Sequence, residues 1–308
     1  MAVVEPVYLI DASVFVFRAY YSIPPDMADG DGRPVNALYG FARFLGDLLE
    51  TTRSRSVAIA FDESLTQSFR NQLFPAYKAQ REAPPPELSQ QFERCRSLCE
   101  LLGLPAYGSD TYEADDIIGT LTARARRSGR PAVVVSRDKD LSQLIRPGDY
   151  FWDFSAGKRY GYDDIAPRFG VLPERMADYL ALTGDAVDNI PGVPGVGPKT
   201  AGVLMTHFAS IDDLYDNLAA VPALPIRGAL RIREQLAQHR SAAFLARELT
   251  RIACDVPLPV DEDLTARSRP HLARLAAFYD GAGFGAALRR QAERIGQHSG
   301  LTEQRLAV

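Results

Sequence analysis

Three short runs in the first half of the chain, VYLI (7–10), VAIAF (57–61) and AVVVS (132–136), are apolar without alternation. Continuous apolar runs of this length are what strands buried on both faces leave in a sequence. YFWDF (150–154) predicts a fourth strand. Between the runs the period changes. Leu38, Phe41, Leu45 and Leu48 fall on one face of a helix predicted over 35–50, and residues 87–102 and 113–127 also read as helices. Buried strands alternating with helices predict an α/β fold, a mostly parallel sheet flanked by helices. In such sheets the ligand site lies beyond the carboxyl ends of the strands.

Two stretches break this pattern. ESLTQSFRNQLFPAYKAQREAPPP (63–86) mixes basic, aromatic and polar residues and ends in three prolines, so it reads as a partly helical excursion over the surface. From about residue 160 the pattern is helical, with candidates at 175–182, 199–208, 212–218, 227–237 and 242–251. A polar tail from about Gln297 reads as disordered.

Composition changes this picture little. The 308 residues are 46% apolar and 24% charged, as in an ordinary soluble protein, and no window approaches the ~20 apolar residues of a membrane span. The start, MAVVEPVYLID, lacks a basic leader segment and reads as a first strand, not a signal peptide. Cys95, Cys99 and Cys254 form no CxxC pair, which points to a reducing, cytoplasmic setting and to packing roles. The net charge of −4 hides a split: from Leu224 to Arg251 six arginines face two glutamates, a local charge of +4, while acids gather in a few short motifs. A basic footprint beside an acidic pocket suits a metal-dependent nuclease.

The acids carry the chemistry. Asp11, Asp62 and the Asp138/Asp140 pair follow the first three strands, so the parallel-sheet rule places them on one edge. Glu113, Asp115 and Asp116 open a helix in YEADDIIG, with Glu113 and Asp116 one turn apart, and Asp185 and Asp188 repeat that spacing in LTGDAVDNIPG. So many converging carboxylates would repel one another unless cations screened them. Hard oxygen donors without His or Cys suit Mg²⁺ or Mn²⁺. Two such ions about 4 Å apart can activate a water and stabilise the leaving oxygen of a phosphodiester.

GVPGVGPKT (192–200) is not a Walker A loop, because Pro198 stands where the lysine belongs and no strand precedes it. It reads instead as a hairpin between helices at about 177–183 and 199–208. Its glycines admit a phosphate and its second helix offers free N–H groups.

These residues carry a resemblance. LIDAS, FDESLTQSFRNQLFPAYKAQR, YEADDIIG, SRDKDLSQL and LTGDAVDNIPGVPGVGPKTA together resemble the bacterial 5′–3′ exonucleases and, more distantly, the flap endonucleases, from Val7 to about Arg290. The resemblance implies a PIN-like nuclease domain (1–172) with an arch at about 63–90. A helical helix–three-turn–helix DNA-binding subdomain (173–290, hairpin about 185–208) and a tail (291–308) would follow. It implies that Asp11, Asp62, Glu113, Asp115, Asp116, Asp138, Asp140, Asp185 and Asp188 hold two Mg²⁺ or Mn²⁺ ions. Tyr77, Lys78 and Arg81 would meet the scissile nucleotide. Arg70, Gly192, Gly195, Gly197, Lys199 and Thr200 would bind DNA, with K⁺ held by backbone oxygens of the hairpin. Arg137 stands where the family often has a small residue. The implied partner of a monomeric enzyme is DNA with 5′ flaps, nicks or 5′-ended duplex, and the chain is either free-standing or part of a longer polymerase.

Further expectations concern the arch. If 77–81 is helical, Lys78 and Arg81 project together. Tyr77 is expected to stack on the terminal base, and without DNA the arch is expected to be mobile, with Lys78 far from the acids. A PIN-type ribonuclease would lack the basic excursion and the helical second half. A non-catalytic branched-DNA-binding protein would not need acids at both strand ends and helix starts. A HAD-like phosphatase needs a DxD motif, which Asp11-Ala12-Ser13 denies.

Overall fold

The computed structural model describes residues 4–63, 67–259 and 263–297. Its sheet contains β1 (Val7–Asp11), β2 (Val57–Ala60), β3 (Ala106–Tyr107), β4 (Ala132–Val135), β5 (Tyr150–Asp153) and β6 (Lys158–Gly161), in the order β3-β2-β1-β4-β5-β6. All pairs are parallel except β5 with β6. The fold class is therefore the one read from the apolar runs. β3 and β6 are additions: β3 is two residues long, and β6 is an exposed, polar edge strand. Neither leaves an apolar run.

The helices in chain order are α1 (Ala12–Ser22), α2 (Asn36–Thr52), α3 (Phe69–Leu73), α4 (Pro86–Leu101), α5 (Ala114–Arg127), α6 (Tyr162–Phe169), α7 (Met176–Thr183), α8 (Pro198–His207), α9 (Ile211–Asp216), α10 (Ala229–Gln238), α11 (Arg240–Thr250), α12 (Leu272–Gly281) and α13 (Ala286–Gly296). Strand side chains alternate between two cores. Leu9 and Val134 pack on one side with α5, α7, α8 and α11; Ile10, Val133 and Val135 pack on the other with α1, α2 and α4. Proline at the first helical position starts α4 and α8, where its missing N–H has no partner to lose.

Two expectations about organisation change. The helices after residue 160 do not form one block. Those from α7 to α11 extend the core on the α5 side of the sheet. The chain then returns along 263–271, where Thr265 accepts a hydrogen bond from Val57 N and Leu101 O one from His271 N, and α12 and α13 join the opposite face. Leu275, Leu288 and Ile295 share a core there with Phe41 and Leu45. The expected tail at 291–308 is therefore helical to Gly296; the rest of it, 298–308, lies outside the described residues. Among the described residues no helix is long and apolar enough to cross a membrane.

Candidate active site

The carboxyl edge of the central strands gathers the acids in fixed poses. Asp11 ends β1 and is buried, its Oδ2 accepting from Ser136 Oγ at 2.8 Å. Asp62 follows β2; its N–H donates to Ser13 Oγ and its Oδ1 accepts from Ala114 N at 2.9 Å, which ties the start of α5 to the strand. Asp138 caps the 3₁₀ turn 139–144 by accepting from Asp140 N. Two serines, Ser13 and Ser136, thus orient the acid cluster, and the sequence motifs LIDAS and SRDKD carry both without marking their role.

The first turn of α5 divides the acids that the sequence reading grouped. Glu113 is the N-cap and Asp116 closes the capping box by accepting from Glu113 N at 3.1 Å. That explains their shared face. It also turns Asp116 inward: both of its oxygens receive the Arg70 guanidinium, at 2.7 and 2.8 Å, and Oδ1 also accepts from Ala253 N. Asp116 is fully buried, and in this structure its lone pairs go to Arg70 and to backbone N–H groups, unlike those of the other acids expected to hold metal. Arg70, expected at the DNA, is buried with it. At 2% exposure it cannot meet DNA, and it spends its other donors on Leu249 O and Arg251 O at the end of α11.

Asp115 faces the other way. Burial and the negative charges of Asp138, Asp11, Asp62 and Glu113 all raise its pKa well above the ordinary value. Burial and Asp62 push Asp11 up to about 7, and burial and Asp138 push Asp140 to about 7. Crowding of this kind disfavours the charged forms of Asp11, Asp115 and Asp140 and would be relieved by a bound cation.

The excursion brings cations to this cluster. Residues 75–80 form turns, not a helix, and Lys78 adopts the left-handed region at φ 55°. Lys78 Nζ lies 2.9 Å from Glu113 Oε1 and 4.0 Å from Asp188 Oδ2, against the expectation that it would stand far from the acids without DNA. Arg81, three residues on, pairs with Asp188 Oδ1. Burial works to raise Glu113, but Lys78 and Arg70 outweigh it and hold the carboxyl below its usual range. Burial raises Asp188 despite Lys78 and Arg81. Tyr77 is 2% exposed and donates its hydroxyl to Glu113 Oε2 at 3.0 Å, with Asp188 Oδ2 at 3.3 Å. Its ring cannot stack on a base in this structure, since Lys78 lies over it and the core packs around it.

Asp185 and Asp188 sit on a loop, not a helix. Asp185 Oδ1 accepts from Val187 N and Asp188 N, and its Oδ2 lies 3.4 Å from Lys139 Nζ, which also holds Asp140. Lys139 is a cation that the reading of SRDKD passed over. Arg137 turns away toward Asp153. In the hairpin that follows, Gly192 is needed by the protein itself: a Cβ there would lie 2.4 Å from the backbone of Thr183. Gly195 takes φ 82° beside Ile232 of α10, which a side chain would strain. Gly197, at the N-cap of α8, has open space around it, and Lys199 is exposed while Thr200 is half-buried. Gly195 and Gly197 are exposed, whereas Gly192 is closed in by the backbone of Thr183 and Gly184.

Among the described residues no three acid, imidazole or thiol side chains stand ready as a metal cage. The lysines 78 and 139 now neutralise part of the cluster. The donor set nevertheless fits hard divalent cations: it is all oxygen, crowded, and electrostatically short of positive charge at Asp11, Asp115 and Asp140.

Comparison with known proteins agrees with this geometry. The 5′–3′ exonuclease N-terminal resolvase-like domain matches residues 6–170, and the 5′–3′ exonuclease C-terminal SAM fold matches 171–272. The chain belongs to the 5′–3′ exonuclease family. It is a nuclease by that membership. It is 37% identical over 296 residues to DNA polymerase I of Rhizobium leguminosarum, covering 94% of this chain but 28% of the polymerase. It is 33% identical over 265 residues to a 5′–3′ exonuclease of Buchnera aphidicola, covering 85% of this chain and 92% of that protein. The bacteriophage T5 flap endonuclease, in a complex with DNA and metal ions, shares the fold with a TM-score of 0.62 at 19% identity, over 95% of this chain and 98% of that one.

Beside the acids, this exonuclease-family chain has a cleft of about 500 Å³ between α1, the end of β2 and α4. Phe17, Phe61 and Phe92 form its apolar wall, and Asp62, Arg81 and Arg96 its polar rim. The sequence did not mark it, because its residues come from four separate stretches of the chain.

Proposed function

We propose that this protein hydrolyses phosphodiester bonds at or near the 5′ end of duplex or flap DNA, as a 5′–3′ exonuclease and structure-specific flap endonuclease. The observation that carries the reading is the crowding of Asp11 and Asp115 with Asp62 and Asp138 at one sheet edge, with Lys78 and Arg81 of the excursion paired to the neighbouring acids Glu113 and Asp188. In this reading Asp11, Asp62, Glu113, Asp115, Asp138, Asp140, Asp185 and Asp188 hold two Mg²⁺ or Mn²⁺ ions. Bound there, the ions supply Lewis acidity that lowers the pKa of the attacking water and neutralises the leaving oxygen.

The chain's own residues do the rest. Lys78 and Arg81, once released from Glu113 and Asp188, direct positive charge to the phosphate from the side opposite the acids. Gly197, Lys199 and Thr200, at the start of α8, hold a duplex phosphate with free N–H groups and the lysine charge. Arg227 and Arg231, exposed around the start of α10, whose Ile232 lies near Gly195, extend the basic track in this reading, and K⁺ on backbone oxygens of the hairpin belongs to it too. The aromatic cleft gives unpaired 5′ nucleotides a surface for stacking.

The test is incubation with a 5′-labelled flap, a nicked duplex and an RNA hairpin, with Mg²⁺ or with EDTA. Cleavage of the two DNA substrates is expected only with the metal. Asp138→Ala should abolish it while DNA binding survives. Full cleavage in EDTA would overturn the metal assignment, and equal cleavage of the RNA hairpin the substrate assignment.

A further inference from the structure

Lys78 reaches Glu113 from a backbone conformation that L-residues avoid, so something must hold it there. The turn that carries it is tied to the loop 185–189 at four points. Lys78 N donates to Asp188 O at 3.0 Å. Asn189 Nδ2 donates to Ala76 O at 2.7 Å. Gln80 Nε2 donates to Val187 O at 2.9 Å and to Ala186 O at 3.2 Å. Asn189 is itself left-handed at φ 58°, where asparagine is among the few side chains tolerated. Both amides are exposed, and neither touches a carboxylate. In sequence the bonded residues Ala76 and Gln80 flank Lys78, and Val187 and Asn189 flank Asp188. The loop they grip leads directly into the hairpin and α8.

We infer that Asn189 and Gln80 are positioning residues: they lash the Lys78 turn to the loop before the duplex-binding hairpin, so that one rigid unit sets the cation against the acids. The inference rests on the proposed role of Lys78 and adds the means by which it is placed. It also gives the chain a route by which duplex held at α8 fixes the arch. Without the two amides, the 75–81 turn keeps the Lys78 N bond to Asp188 O, the buried Tyr77 ring and its hydroxyl, the Lys78 and Arg81 ion pairs, and the Asn71 amide, which donates to Tyr77 O at 3.0 Å.

The experiment uses Asn189→Gly, which removes the amide while allowing φ near +58°, and Gln80→Ala, singly, together, and combined with Lys78→Ala. Lys78 and Arg81 are trypsin sites inside the lashed turn. In the metal-free, DNA-free protein the Asn189→Gly/Gln80→Ala pair should be cut there several-fold faster than wild type, with the unfolding midpoint moved by no more than about 2 °C. Single-turnover cleavage of a 5′-flap should fall about five- to tenfold, in keeping with loss of one or two hydrogen bonds, while duplex affinity stays unchanged. In the Lys78→Ala background the pair should cause no further loss, since both act through one group. Wild-type proteolysis and turnover for the pair would overturn the inference. So would an undiminished loss in the Lys78→Ala background, which would mean that Asn189 acts on Asp188 alone. If Lys78→Ala itself cleaved at the wild-type rate, the catalytic reading of Lys78 would fall, and the trypsin comparison would still decide whether the lashing exists.

Discussion

Arg70 and Lys78 lie on the same excursion, and each meets a carboxylate of the first turn of α5, yet the two contacts are built differently. Arg70 is sealed in. Its fork grips both oxygens of Asp116, its remaining donors take Leu249 O and Arg251 O, and a backbone N–H fills Asp116 further. Burial works against its charge, and Asp116 and Glu113 outweigh that penalty. Lys78 rests on a single close oxygen of Glu113, with Asp188 at the edge of reach, on a strained turn facing the site. A planar fork with matched acceptors makes a permanent joint; a point charge on a flexible stem can be traded for another partner. Arg70 therefore joins α3, α5 and α11, and Lys78 is the cation free to change hands.

The largest effect follows from breaking the sealed joint. Arg70→Ala leaves Asp116 charged and unpaired in the core, which should destabilise the protein by about 3–5 kcal/mol. Chemical unfolding followed by circular dichroism measures this, and a loss below about 1 kcal/mol would refute the structural role. Affinity for DNA, compared at a temperature where the variant is folded, should match wild type, because the guanidinium never reaches the surface.

Lys78→Ala should do the reverse. Glu113 keeps the Tyr77 hydroxyl and the Arg70 guanidinium at 3.6 Å, so stability should fall less than for Arg70→Ala. Single-turnover cleavage of a 5′-flap should drop by roughly 10²–10³, or about 3–4 kcal/mol, the scale of one preorganised electrostatic group. A rate within a few-fold of wild type, with enzyme in excess, would remove Lys78 from the chemistry.

The contrast also marks what the sequence could carry. β1, β2 and β4 were legible because burial on both faces leaves unbroken apolar runs, and with them came Asp11, Asp62 and Asp138 on one edge. α12 and α13 were not: α12 is apolar nearly all round and so shows no single face, α13 is mostly polar, and their partners, α4 and α2, lie far back in the chain. Helical spacing correctly paired Glu113 with Asp116 but could not say that the shared face was a capping box turned toward an arginine, because Arg70 is brought there only by the fold. Gly192 looked like a phosphate contact for a similar reason: glycine marks a close approach, and here the approaching backbone is that of Thr183.

Tyr77 offers the finest test, because its ring and its hydroxyl belong to different accounts. If Tyr77 stacks on a base, the ring is what matters. In the structure the ring is buried and the hydroxyl bridges Glu113 and Asp188, the two acids that Lys78 also touches. Burial and both carboxylates push the phenol pKa far up, so it stays a donor throughout the working range. Tyr77→Phe keeps the ring and its packing and deletes only the donor. A hydrogen bond to a charged acceptor contributes about 1.5 kcal/mol at the low end, so cleavage should slow roughly tenfold. The ring still fills its cavity, so the unfolding midpoint should fall by only the few degrees that the lost hydrogen bond accounts for, and duplex affinity should not change. Tyr77→Leu would remove the ring as well and add a packing loss in the core beside Ala114 and Leu141. Single-turnover rates for the two variants separate the accounts. A Phe variant as fast as wild type beside a slow Leu variant would favour stacking; a Phe variant slowed tenfold assigns Tyr77 to holding Glu113 and Asp188 in place for Lys78 to leave.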